Sequence, residues 1–113
     1  MARARWHILR DGMGLTLCRH LPPRFDFAVR SRISGGGAVR LAHQIRQDLW
    51  RALQTVRGYS PVVRLDRVDA GWHVTAGGRA AGPVPDTVMS RAEAVLEDPG
   101  NRARWLRYSE AAR

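Results

Sequence analysis

The sequence predicts a single α+β domain over residues 1–113, with helices packed on one face of a mostly antiparallel sheet of about four or five strands. Several short segments alternate apolar and polar residues, as half-buried strands require. One longer segment instead repeats its apolar residues every three or four positions, as an amphipathic helix does. Clusters of glycine and proline separate these segments and give the order β-β-β-α-β-β-α-α.

The first predicted element is a β-hairpin that turns at Asp11 and Gly12, residue types that favour the positive φ angles of a type I′ turn. This turn would place Ile8 opposite Leu15 on the apolar face of the hairpin. Clean alternation over residues 24–33 then predicts a third strand with one apolar and one charged face.

The clearest element is a helix from about Ala38 to Val56, with Gly58 as its C-terminal signal. Residues 62–68 and 72–76 alternate as two further strands, and the glycine pair that follows is expected to end the second of them. Strand-helix-strand-strand-helix is the skeleton of a split βαβ sandwich without its last strand, and the N-terminal hairpin could supply an edge.

Two helices complete the prediction. The first runs from Asp86, a candidate N-cap, to about Asp98, and the second from Asn101 to about Ala111.

The charge is the most informative property of the composition. Nineteen basic residues, all of them arginine, outnumber ten acidic ones and give a net charge of +9. A gene rich in G and C would explain the choice of arginine over lysine, but it does not explain the positive excess. An excess of this size attracts phosphate, acidic proteins or anionic lipids. Guanidinium groups in particular can grip phosphate at two points.

Several classes of protein are disfavoured. No apolar run approaches the ~18 residues of a membrane span, and no apolar stretch follows the basic N-terminus as in a secretory signal. A single cysteine, Cys18, excludes an intrachain disulfide, so we expect a cytoplasmic protein. Neither a Walker A pattern nor GxGxxG is present, and we expect no cofactor. The oligomeric state stays open.

The sequence signals for a metal site or a catalytic site are weak. Cys18, His20 and His7 share one face of the predicted hairpin, and His43 or His73 would have to complete a zinc site. Structural zinc normally takes four ligands at paired spacings, so an ordinary polar face is the better interpretation. Cys18 with a histidine is also the only nucleophile and base pair, and we therefore expect a protein that is not an enzyme.

We predict that the long helix and the strand before it form a surface that binds nucleic acid, DNA or RNA. The helix segment carries four arginines against one acid, Asp48, and the strand adds two on its outer face. The candidate contact residues are Arg30, Arg32, Arg40, Arg46, Trp50, Arg51 and Arg57. Gly35, Gly36 and Gly37 form a candidate anion site at the helix N-terminus, although a flexible loop is the better interpretation of these glycines.

Two alternatives stay open. The arginine-rich helix face could be an ordinary solvated surface. The protein could also be an adaptor or regulatory subunit that docks an acidic protein partner through Trp50, Trp105 and neighbouring arginines, because tryptophan and arginine dominate interface hot spots.

Overall fold

The computed structural model describes residues 5–110, which form one five-stranded sheet and three helices. In chain order the elements are β1 (His7–Arg10), β2 (Gly14–Cys18), β3 (Phe27–Ile33), α1 (Ala38–Leu53), β4 (Ser60–Val68), β5 (Gly71–Arg79), α2 (Asp86–Glu97) and α3 (Pro99–Glu110). The α+β class and the element order predicted from the sequence are confirmed. Within the described residues, none of the helices is long and apolar enough to cross a membrane.

The sheet has the strand order β1-β2-β4-β5-β3, and every neighbouring pair is antiparallel. Because β3 and β4 both run antiparallel to β5, they are parallel to each other, and β3-α1-β4 is a split βαβ unit with β5 between its strands. The N-terminal hairpin extends the sheet beyond β4 and supplies the edge that the sequence suggested.

The core lies between the sheet and the helices. α1 packs mainly on β4 and β2 and contacts both other helices, while α2 covers β3. Leu41, Ile45 and Leu49 of α1 are fully buried against Val63 and Leu65 of β4. Burial of each such side chain stabilises the fold by roughly 1.5–3 kcal/mol. α1 thus has the hairpin on one flank and α3 on the other, and it also contacts α2.

The hairpin differs from the prediction in its register. Ile8 pairs with Leu17 instead of Leu15. The turn still begins at Asp11, but it is two residues longer than the predicted two-residue turn. The Asp11 carboxylate accepts hydrogen bonds from the N–H groups of Met13 and Gly14 and closes this turn. A shift of two positions leaves every side chain on the same face of the hairpin, so the predicted apolar face is correct although the register is wrong.

Two element ends also differ from the prediction. α1 ends at Leu53 instead of Val56, and β5 continues through Gly77 to Arg79 instead of ending at the glycine pair. A Cβ at Gly77 would lie 2.1 Å from the carbonyl oxygen of Phe27, so glycine here allows the backbone of β3 to approach. α3 starts at Pro99, and its predicted end at Ala111 lies outside the described residues.

Candidate functional site

The arginines of α1 lie on two flanks of the helix and do not form one face. Arg46 and Arg51 are five positions apart, which separates them by roughly 140° around the helix axis. Arg40 is eleven positions from Arg51 and falls within roughly 20° of it. Arg46 and Trp50 face the hairpin, whereas Arg51 lies on the flank that packs against α3.

A cleft of about 270 Å³ opens where the hairpin flank of α1 meets the sheet. The residues that line it are Trp6, Arg19, His20, Arg46, Trp50, Tyr59, Ser60 and Pro61. We call this site the aromatic-arginine cleft. Its walls come from the residue before β1, the residues after β2, the middle of α1 and the start of β4, so distant parts of the chain build it together.

Arg46 is held in the cleft by aromatic and polar contacts. Its guanidinium carbon lies 4.5 Å from the centroid of the Trp6 ring, a cation-π distance. Its Nη2 donates to Nδ1 of His43 at 2.9 Å, which requires that nitrogen to be unprotonated. The His43 ring meets Trp6 edge-on at 6.2 Å. Among residues 5–110, the buried Nε of Arg46 has no hydrogen-bond partner.

Burial and charge favour this arrangement of Arg46 and His43. Burial lowers the pKa of His43, and the nearby Arg46 charge lowers it further. Burial also lowers the pKa of the Arg46 guanidinium, although arginine remains charged at neutral pH. A neutral His43 can accept the hydrogen bond, so the Arg46 charge stays directed at the cleft without a neutralising carboxylate.

The second wall of the cleft is a stacked aromatic pair. The Trp50 and Tyr59 rings are nearly parallel, with 8° between their planes and 6.1 Å between their centroids. Tyr59 is buried, and its hydroxyl donates to the carbonyl oxygen of Gly77 at 3.1 Å. Burial raises the pKa of this phenol well above its usual value. Trp50 lies above Tyr59 and remains 43% exposed.

The cleft is therefore both aromatic and positively charged. Among residues 5–110, no carboxylate lines it. Within the described part of the chain, neither Arg19 nor Arg46 forms an ion pair with an acidic side chain. By contrast, Asp48 on the other flank of α1 pairs with Arg51 and Arg104. The aromatic-arginine cleft can thus attract an anion that also carries a flat ring.

The structure separates the other predicted contact residues from this cleft. Arg30 and Arg32 pair in register with Thr75 and His73 and lie on the sheet face opposite the helices. Arg40 and Arg51 are exposed on the α3 flank of α1. Arg57 is exposed in the turn after α1, two residues before Tyr59. Of the seven predicted contact residues, only Arg46 and Trp50 line the cleft.

The glycines before α1 have a packing role. Gly35 and Gly36 have positive φ angles of 80° and 92°. A Cβ at Gly36 would lie 2.6 Å from Oγ of Ser109, so α3 approaches this loop closely. The Glu110 carboxylate also lies beside the loop and would repel a bound anion. Anion binding at residues 35–37 stays a prediction, and Glu110 argues against it.

The hairpin histidine and cysteine do form a cross-strand pair, His7 with Cys18. Across residues 5–110, however, no group of three or more His, Cys, Asp or Glu side chains is placed to hold a metal ion. The cysteine is fully buried, and burial raises the pKa of its thiol. Such a thiol is a poor nucleophile because little thiolate forms at neutral pH.

Sequence patterns did not identify several residues of the cleft. The alternation of the hairpin predicts a core position for Trp6, whereas its ring is half-buried and carries the Arg46 contact. His20 was considered only as a metal ligand, and Arg19 and Tyr59 gave no signal. No known protein family, curated protein or solved structure matches this chain. The geometry of the cleft and the charge of the chain are therefore the basis for a functional proposal.

Proposed function

We propose that this protein is a small, non-enzymatic module that binds nucleic acid and contacts its phosphates through the hairpin flank of α1. The observation that carries the proposal is the aromatic-arginine cleft, where Arg19 and Arg46 lie beside an exposed indole and no carboxylate of the described residues lines the site. The net charge of +9 adds a long-range attraction for a polyanion.

The arginines on the hairpin flank of α1 are well suited to bind phosphate. Guanidinium groups bind phosphate oxygens at two points, and neutralising phosphates releases counterions from the nucleic acid. Arg57 lies two residues before Tyr59, which limits its Cα to about 7 Å from that of Tyr59. It can therefore extend the contact along the backbone. Arg30, Arg32, Arg40 and Arg51 would contribute mainly to the general positive field.

A cytoplasmic location is part of the same proposal. The single cysteine, Cys18, is buried and forms no disulfide within the chain, which suits a reducing compartment. A role as an adaptor for an acidic protein remains the alternative, with Trp50 as its exposed anchor.

The test is fluorescence anisotropy with short mixed-sequence DNA and RNA over roughly 50–300 mM salt. We expect affinity that falls linearly on a logarithmic salt scale, and Arg46→Ala should reduce the slope by about one. Arg91→Ala is the matched control, since it removes the same charge from the exposed surface of α2, outside the cleft.

Arg91→Ala should change the slope by much less than Arg46→Ala. Equal slopes for both variants would mean that binding is diffuse attraction to a basic protein and that the cleft has no role. Absence of binding across the salt range would refute the proposal and would favour the acidic protein partner.

A further inference from the structure

The Trp50 indole packs on Tyr59 and is also open to solvent. The two rings are nearly parallel with their centroids 6.1 Å apart, and the tyrosine itself is only 7% exposed. The rings are therefore offset, and 43% of Trp50 remains exposed. An exposed indole that packs on a buried ring is a suitable platform for another flat ring.

The platform is also held in place before any ligand binds. The Tyr59 hydroxyl is anchored on the Gly77 carbonyl, and Arg46 is fixed between Trp6 and His43. A site that is already ordered loses less conformational entropy on binding than a site built from free side chains.

The size of the cleft limits what can enter. Sites for drug-sized ligands and cofactors occupy about 300–1,000 Å³. The aromatic-arginine cleft, at about 270 Å³, lies just below that range. It therefore accommodates one planar ring system with an attached anionic group, and it is small for a complete dinucleotide cofactor.

We propose that the aromatic-arginine cleft takes one unpaired base of a single-stranded nucleic acid, stacked on Trp50, with the adjoining phosphate near Arg46 and Arg19. This inference rests on the proposed function and names its substrate class. A base within a duplex is stacked on both sides and cannot reach the indole without being unpaired, which costs energy. The protein should therefore bind single strands more tightly than duplexes of the same sequence.

The experiment compares anisotropy titrations of a labelled single strand with those of the same strand annealed to its complement, at one fixed salt concentration. We expect Trp50→Ala to weaken single-strand binding by about fivefold to a hundredfold, the range for loss of one stacked base. Duplex binding, which uses phosphate contacts alone, should change by less than about twofold.

Two further variants control for structure and for aromatic content. Trp50→Phe keeps a flat ring and should retain much of the single-strand affinity. Tyr108→Ala removes an aromatic ring that is 51% exposed on α3, outside the cleft, and should leave both affinities unchanged. Thermal unfolding by circular dichroism checks that each variant is folded.

The outcomes separate this inference from the proposed function. Equal affinity of the wild-type protein for both substrates, unchanged in Trp50→Ala, would overturn the stacking site while leaving a phosphate-binding module. An equal loss with Tyr108→Ala would also overturn it. Binding to neither substrate would refute the inference and the proposed function together.

Discussion

The two flanks of α1 both carry arginine, but the arginines meet opposite surroundings. On the α3 flank, Asp48 is 8% exposed and accepts hydrogen bonds from Nε1 of Trp105 at 2.6 Å and from Arg104 at 2.9 Å. On the hairpin flank, Arg46 contacts the neutral His43 and the ring of Trp6. On the α3 flank Asp48 offsets part of the positive charge, whereas within residues 5–110 Arg46 on the hairpin flank has no acidic partner and lines the cleft.

This difference shows that a count of arginines does not locate a binding surface. Arg46 and Arg51 belong to the same helix and look alike in the sequence, yet Arg51 lies 3.4 Å from the Asp48 carboxylate. An ion pair weakens the field that an approaching phosphate meets. The position of one buried acid therefore distinguishes Arg51 from Arg46.

The largest loss of stability should come from replacing Asp48. At the contact between α1 and α3, Asp48→Ala leaves Trp105 Nε1 without its acceptor. It also removes the carboxylate partner of the partly buried Arg104, which keeps its hydrogen bond to Oδ1 of Asn101. We expect the free energy of unfolding to fall by about 3 kcal/mol, measured by urea denaturation. Asp48→Asn, which keeps one acceptor oxygen, should lose less. A loss below about 1 kcal/mol for Asp48→Ala would show that the α3 flank does not depend on this acid.

Matched arginine substitutions on the two flanks of α1 test whether the flanks differ in their contribution to stability. Arg104→Met removes a charged partner of Asp48 and should lower the free energy of unfolding by about 1–2 kcal/mol. Arg46→Met keeps a long apolar side chain against Trp6 and loses a guanidinium whose Nε has no partner among the described residues. It should change stability by less than about 1 kcal/mol.

Arg46→Met should nevertheless weaken nucleic-acid binding, whereas Arg104→Met, when folded, should bind like the wild-type protein. Chemical denaturation and anisotropy on the same samples measure both properties. If the two variants lose equal stability, the flanks do not differ in the way the ion pairs indicate.

A smaller effect should appear in the pH dependence of stability. The pKa of His43 is lowered in the folded state by burial and by Arg46, so the unfolded state binds more protons below the ordinary value of 6.5. The free energy of unfolding should therefore decrease as pH falls through 6.5 toward the folded pKa and then stay at the lower level. The measurement is urea denaturation of the wild-type protein and His43→Gln at several pH values.

His43→Gln should lack this part of the pH dependence. The control is His73→Gln, a change on the sheet face opposite the helices. A wild-type profile that is unchanged by His43→Gln would show that His43 does not drive the acid sensitivity.

The fold followed from the sequence because its signals are local. Alternation marked the strands, and apolar residues spaced by three and four marked α1, since backbone geometry sets both periods. The errors fell where a neighbour in space decides the outcome. The strand β5 runs through Gly77 because β3 and β4 pair with it there, although glycine pairs usually end strands. The hairpin register depended on how Asp11 closes its turn.

The candidate site could be predicted only in part. Trp50 and Arg46 were identified because they lie off the apolar stripe of a clear helix. Arg30 and Arg32 were grouped with them because the strand and helix are adjacent in sequence, yet the sheet places those two on its opposite face. The pattern assigned Trp6 to the core, and Arg19 and Tyr59 gave no signal, since each gains its role from contacts with residues far along the chain.

The α+β class, the order of the elements, the apolar stripe of α1 and the excess positive charge all follow from the sequence, because each depends on composition or on residues within a few positions. Where that charge stays available depends on the tertiary structure. Packing α3 against one flank of α1 brings Trp105 and Arg104 onto Asp48, and packing the hairpin against the other brings Trp6 onto Arg46. These contacts join residues that are tens of positions apart, and chain spacing alone does not encode them.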